Sequence, residues 1–186
     1  DMIATLQNST ARMNDLLARL SQHNKGRAED PRPVAAGALV EEVAAAKRSL
    51  HPVMVAGDMA QLVLADPQRL EQALSHLVQN AIDASPPAEP VTILISRQYG
   101  EATITVSDRG CGMSAAFIRE KLFKPFASTK DGGFGIGAYE ARALIAAMGG
   151  RIEVESREGN GSRFIVILPV ADETRTRPFP SRAEAA

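Results

Sequence analysis

Between residues 67 and 84, apolar side chains recur at Leu70, Ala73, Leu74, Leu77, Val78 and Ala81. This is close to the 3.6-residue period that lays one stripe of a helix against a core. Asp66 stands at the helix N-cap, Pro67 takes the first helical position, and Pro86-Pro87 stops the helix near Ala84. Upstream, Leu39, Val40 and Val43 mark a helix over roughly 37–49. Residues 51–57 (HPVMVAG) and 61–65 (QLVLA) predict short strands split by Gly57-Asp58. Downstream the period changes to two. VTILISRQY and EATITVSD, joined at Gly100-Glu101, predict an antiparallel hairpin. A helix over about 136–148 ends at Gly149-Gly150, and RIEVESREGNGSRFIVILP predicts a second hairpin turning around Gly159–Gly161. Helices interleaved with hairpins predict an α+β sandwich, with one mixed, mostly antiparallel sheet and helices on one face.

The two ends follow different rules. In residues 1–22, Ile3, Leu6, Thr10, Met13, Leu17 and Leu20 step by 3, 4, 3, 4 and 3, which is a heptad seam. Such a seam serves a dimerising hairpin or packs on its own chain. The chain opens in the middle of this pattern, so a longer parent is expected. Residues 23–33 (HNKGRAEDPRP) are polar, carry Gly26, Pro31 and Pro33, and predict a linker. Residues 34–170 then form the folded domain, and residues 171–186, charged and proline-bearing, a disordered tail.

Composition narrows the chemistry. A chain of 186 residues buries about 70% of the surface its unfolded form exposes, so it needs no cross-link to hold a core. The single Cys111 excludes an internal disulfide framework and a Cys-rich zinc site. A net charge of −1 gives no global attraction to nucleic acid or to an anionic bilayer. No apolar run approaches the ~20 residues of a membrane helix.

Four features carry candidate chemistry, in order. Asn80 lies on the long helix, in HLVQNAIDAS. Asp108-Arg109-Gly110-Cys111-Gly112 follows a strand. Phe123-Lys124-Pro125-Phe126 precedes a short polar loop. Gly133-Phe134-Gly135-Ile136-Gly137 opens a helix. Taken singly, each has an ordinary explanation, and a lone GxGxG is a weak signal. Three small residues at a helix entrance do leave backbone N–H groups open to an anion. Cys111 is expected to be a small filler rather than a redox switch.

As a set, these features resemble the nucleotide-binding motifs of the GHKL superfamily (gyrase, Hsp90, histidine kinase and MutL). They look most like the catalytic and ATP-binding domain of a bacterial sensor histidine kinase, over roughly residues 30–170. The GFGIGAYEAR form looks closest to PrsK-like sensor kinases of the PEP-CTERM exopolysaccharide system. The resemblance implies a Bergerat-type ATP-binding fold preceded by the end of a dimerisation helix. It also implies ATP and Mg²⁺ as ligands, with Asn80 as an oxygen ligand to the metal. Asp108 would accept from the adenine amine, since a carboxylate only accepts. Gly110 and Gly112 would let the backbone approach the base, and Ser162 would stand where the family usually has Thr. Gly133, Gly135 and Gly137 would face the phosphates and Lys130 would bring a charge to them. Phe123 and Phe126 would anchor the lid, which is short, with six residues between Phe126 and Gly133.

Departures from the pattern matter as much. One helical turn before Asn80 stands His76, where gyrase-like and Hsp90-like members carry a Glu that acts on water. Its absence favours phosphoryl transfer over hydrolysis, with His76 in a nucleotide-proximal or a packing role. Asp83 falls where many kinases place a basic residue. None of His23, His51 or His76 is placed as a phosphoacceptor. The expected partners are therefore the protein's own dimerisation and phosphoacceptor domain, a response regulator, and a second copy in a homodimeric parent, without nucleic acid. The domain is expected to be cytoplasmic, because ATP is, with anchoring of the parent in the bacterial inner membrane left open. Two alternatives stay open: a GHKL serine kinase of the anti-sigma-factor type, and a nucleotide-binding switch without catalysis.

Overall fold

The computed structural model describes residues 29–126 and 135–171. The heptad segment, most of the linker, the lid with Lys130 and Gly133, and all but the first residue of the tail lie outside the described residues. The elements run β1 (Arg32–Ala35), α1 (Ala36–Lys47), β2 (Val53–Gly57), β3 (Leu62–Ala65), α2 (Pro67–Ala84), β4 (Val91–Gln98) and β5 (Glu101–Ser107). They continue with α3 (Ala115–Glu120), α4 (Gly137–Ala147), β6 (Arg151–Ser156) and β7 (Ser162–Pro169).

Five strands form one sheet in the order β2-β4-β5-β7-β6. Only the β2–β4 pair is parallel; the other three are antiparallel. The sheet is mixed and mostly antiparallel, as the sequence predicts. Its register explains the core. Ile93 faces Val106 and Ile95 faces Ile104 across β4 and β5, and Val106 and Ile104 face Phe164 and Val166 on β7. Successive strand side chains alternate in direction, so these residues share one face. That face is buried together with Leu70, Leu74 and Leu77 of α2 and Ala141 and Ile145 of α4. Each such Leu or Ile contributes about 1.5–3 kcal/mol by leaving water. On the other face, Met54 and Leu94 are exposed.

Two elements depart from the sequence reading. Arg32–Ala35, half of it inside the expected linker, pairs antiparallel with β3 as a separate two-stranded sheet. Pro33 disguises it, because proline is tolerated only at edges of sheets, and this two-stranded sheet consists of edges. The segment between β5 and α4 also contains α3, capped by the Ser114 hydroxyl, which accepts from Phe117 N at 3.1 Å. Six residues are too few to show a helical period.

The long helix begins as its sequence dictates. Asp66 is buried, and its Oδ1 accepts from Gln68 N at 3.0 Å and Arg69 N at 3.2 Å. Such a cap stabilises a helix by about 1 kcal/mol. It also fixes where α2 starts, and hence which of its side chains face α4. Among the described residues, no helix is long and apolar enough to cross a membrane.

Candidate functional site

The helices α2 and α4 pack side by side, and the first glycine of α4 lies over the polar middle of α2. A Cβ placed on Gly137 would stand 3.5 Å from both polar atoms of the Asn80 amide and 3.7 Å from His76 Nδ1. The structure thus brings together three of the expected residues from two separate motifs. His76 and Asn80 are four apart, one turn of α2, so both point to the same side. The N-cap position of α4 is Ile136, which offers no side-chain acceptor to the first helical N–H groups. Gly135 just before it has φ +64°, the left-handed region that glycine enters without strain. Uncapped N–H groups beside a cradle without Cβ atoms suit an anion.

His76 carries a contact that the sequence does not announce. Its Nε2 lies 3.0 Å from Oε2 of Glu140, in the first turn of α4. The Nε2 atom is buried, and the approach lacks the alignment of a hydrogen bond. Sixty-four residues separate the two, and only the packing of α4 on α2 joins them.

Asp108, at the end of β5, is the second pole of the site. It is buried, and its Oδ1 accepts from Gly110 N at 2.8 Å. Its own N–H donates to Ser162 O at 2.9 Å, which ties the carboxylate to β7. The Ser162 hydroxyl is buried and lies 3.0 Å from Ser156 Oγ. Ser156 Oγ donates to Gly161 O at 2.9 Å and accepts from Met113 N at 2.8 Å. With the single Ser156 proton on Gly161, Ser162 is the donor between the two serines. Ser162 therefore supports Asp108 through the backbone and turns its hydroxyl proton inward to Ser156. Ser156 ties three segments together, a role that sequence inspection missed.

Two glycines have a task beside the one the resemblance implies, and two further expectations need correction. Gly110 and Gly112 permit close approach to the protein's own backbone. A Cβ on Gly110 would collide with the carbonyl oxygen of Ala84 at the end of α2, and one on Gly112 with that of Arg157. Their first task is to pack the loop between α2 and the β6–β7 hairpin. Phe126 is no buried anchor. It is 43% exposed with φ +64°, whereas Phe123 packs against the core with the Arg142 guanidinium 4.9 Å above its ring. Cys111 is exposed and fills no gap; its carbonyl accepts from Gly159 N at 2.7 Å.

Asp83 is exposed, and its Oδ1 accepts from Gln79 Nε2 at 2.7 Å. Gln79 Oε1 in turn accepts from Lys47 Nζ at 3.0 Å, so a lysine from α1 reaches this edge of α2 through a glutamine. His51 is buried, and its Nε2 lies 2.8 Å from Glu89 O; it braces the loop after α2.

Comparison with known proteins agrees with this geometry. The family described as "Histidine kinase-, DNA gyrase B-, and HSP90-like ATPase" matches residues 65–172. Sensor protein DivL of Caulobacter vibrioides is 39% identical over 108 residues, which is 58% of this chain and 14% of DivL. The chain therefore spans about a seventh of that relative's length. The catalytic domain of histidine kinase ThkA superposes with a TM-score of 0.68 at 28% identity, covering 76% of this chain and 96% of that one. Full-length ShkA in complex with AMPPNP gives a TM-score of 0.68 at 27% identity, covering 90% of this chain and 38% of ShkA. The chain belongs to the histidine kinase-, DNA gyrase B- and HSP90-like ATPase family, and its fold is that of the sensor histidine kinase catalytic domains it resembles.

Proposed function

We propose that this domain binds Mg-ATP between Asp108 and the start of α4 and transfers the γ-phosphoryl group to a histidine that the chain's own three do not provide. The observation that carries the reading is the meeting of the Asn80 amide with the Cβ-free Gly137, next to an imidazole where a hydrolase of the superfamily would hold a carboxylate. The carboxylate nearby, Glu140, is engaged with that imidazole.

Asp108 accepts from the adenine amine, beside the loop that Gly110 and Gly112 fold. The backbone N–H groups at Gly135 and Gly137, with Gly133 and Lys130, meet the phosphates. Among the described residues, no cluster of three or more His, Cys, Asp or Glu side chains is arranged to hold a metal. A single amide oxygen such as that of Asn80 suits Mg²⁺, which takes most of its ligands from water and substrate phosphates. When bound, the ion neutralises phosphate charge during transfer. The rest is positioning, the main contribution a protein makes to phosphoryl transfer.

In this reading the acceptor histidine belongs to the protein's own dimerisation domain in a homodimeric parent, and a response regulator takes the phosphoryl group next. The GFGIGAYEAR box supports kinship with PrsK-like sensor kinases of the PEP-CTERM system. The domain works in the cytoplasm, where ATP is.

One specific observation favours a rival. An imidazole backed by a carboxylate is also a general-base arrangement, and would activate water. Incubation with γ-labelled ATP and a separate helical hairpin bearing a histidine decides between them. Acid-labile label on the hairpin supports transfer. Label released as inorganic phosphate at the same rate with and without the hairpin supports hydrolysis. Nucleotide binding with neither outcome supports a switch module, and label stable to acid on a serine supports the anti-sigma-factor type.

A further inference from the structure

The His76–Glu140 contact joins the two helices that frame the phosphate end of the proposed site. His76 is one-third exposed and Glu140 one-fifth, so the pair lies at the wall of the site rather than in the core. The two ring nitrogens have different surroundings. Nε2 is buried and meets the Glu140 carboxylate, an acceptor. Nδ1 faces the Gly137 cradle that Asn80 also faces. Which nitrogen carries the proton is set by the bond the other can make. A carboxylate beside Nε2 holds the proton there and leaves the Nδ1 lone pair directed at the cradle.

We propose that Glu140 is a positioning residue for Mg-nucleotide binding: it holds His76 as the Nε2–H tautomer, so that Nδ1 accepts a hydrogen bond from a water of the bound cation beside Asn80. The assignment rests on the nucleotide-binding reading given above for its last step, but not for the tautomer. The same logic orients ligating histidines through a carboxylate or carbonyl behind the ring. Here one carboxylate, three residues into the helix that Gly137 opens, sets the chemistry of a residue on the facing helix.

The test is made on the whole chain, first without nucleotide or metal. Long-range ¹H–¹⁵N correlation of the histidine rings reports each tautomer. His51, whose Nε2 lies 2.8 Å from the Glu89 carbonyl, serves as an internal Nε2–H reference. His76 is expected to show the Nε2–H pattern. In Glu140→Ala the pattern shifts to a mixture of tautomers. In Glu140→Gln, whose amide oxygen still accepts, it returns.

Titration with AMPPNP, with Mg²⁺ and with EDTA, then reads the consequence. Glu140→Ala loses affinity about tenfold only in the presence of Mg²⁺, with its Tm within a few degrees of the parent, and Glu140→Gln recovers most of the loss. Nδ1–H in the parent protein overturns the proposal. So does an unchanged tautomer in Glu140→Ala, and so does an equal loss with and without Mg²⁺. If the parent binds no AMPPNP at all, the nucleotide reading fails, while the tautomer spectra still decide what Glu140 does to His76.

Discussion

Asp108 and Gly161 stand back to back: a Cβ on Gly161 would collide with the Asp108 carbonyl oxygen, and Gly161 holds φ +78°. The second hairpin turns where it does so that its backbone can brace the strand end that carries the carboxylate. An L side chain at this φ costs about 1–2 kcal/mol before any collision is counted, and the obstacle is backbone, which cannot swing aside. Gly161→Ala is therefore expected to lower stability by ~2 kcal/mol or more, about 5 °C or more in Tm for a chain of this size. It should weaken AMPPNP binding through Asp108. Thermal melts with and without AMPPNP check this; an unchanged Tm contradicts it.

Gly137 is a glycine of the opposite kind. A Cβ there meets the Asn80 amide at 3.5 Å, an ordinary contact, and alanine favours a helix over glycine by up to about 1 kcal/mol. Gly137→Ala is expected to fold with an unchanged or higher Tm and to bind AMPPNP at least tenfold more weakly, because the methyl fills the cradle. Calorimetric titration beside a melt separates the two effects. Loss of both stability and binding would mean that the cradle is only a packing contact.

Asp108→Asn replaces an acceptor with an amide that can still take the Gly110 N–H but turns a donor toward the adenine amine. Hydrogen bonds to charged groups contribute about 1.5–3 kcal/mol, so ATP affinity should fall roughly 10- to 100-fold. GTP binding, which does not depend on that bond, should change little. Parallel ATP and GTP titrations read the difference, and equal losses for both would remove Asp108 from base recognition.

Asn80→Ala takes away the one side-chain oxygen assigned to the cation. Binding of AMPPNP should become nearly independent of Mg²⁺, with the metal-free affinity preserved. Persistent Mg²⁺ dependence would place the metal ligand elsewhere.

These predictions differ in how far the sequence alone supports them. The course of α2 is legible because Asp66, Pro67 and the period from Leu70 to Ala81 all agree. Asn80 and Asp108 stand out because their motifs occur in order on the right elements. Glu140 does not, since its meaning depends on α4 lying against α2, a relation between residues 64 positions apart that no local pattern encodes. The glycines of the Asp108 loop are ambiguous for a related reason. A glycine announces that something comes close, but not whether that is a ligand's base or the chain's own carbonyls at Ala84 and Arg157. The β1 strand is hidden because Pro33 argues locally for a break, while pairing with β3 is a tertiary fact.

The far face of the sheet yields a prediction about pH. Arg151 on β6 reaches Glu101 on β5 through two bonds of 2.8 and 2.9 Å, and so spans β7, where Ile167 pairs with Arg151. That isoleucine is 5% exposed, and an arginine stem can lie across such apolar surface while its head group stays in water. The hydrogen bond from Arg151 holds the Glu101 carboxyl below its usual 4.5, and Glu101 and Glu153 in turn hold the guanidinium proton more tightly. A carboxylate whose folded pKa is lowered adds stability above its unfolded pKa and loses it as pH falls through the folded value. The pair is exposed and screened by solvent, so the contribution is small. Glu101→Gln should therefore melt slightly below the parent at pH 7, and the gap should close as pH falls from about 4.5 toward 3. Added salt should narrow the gap at pH 7. A difference that survives unchanged at pH 3 would show that Glu101 acts by shape, as a cover for Ile167, and not by charge.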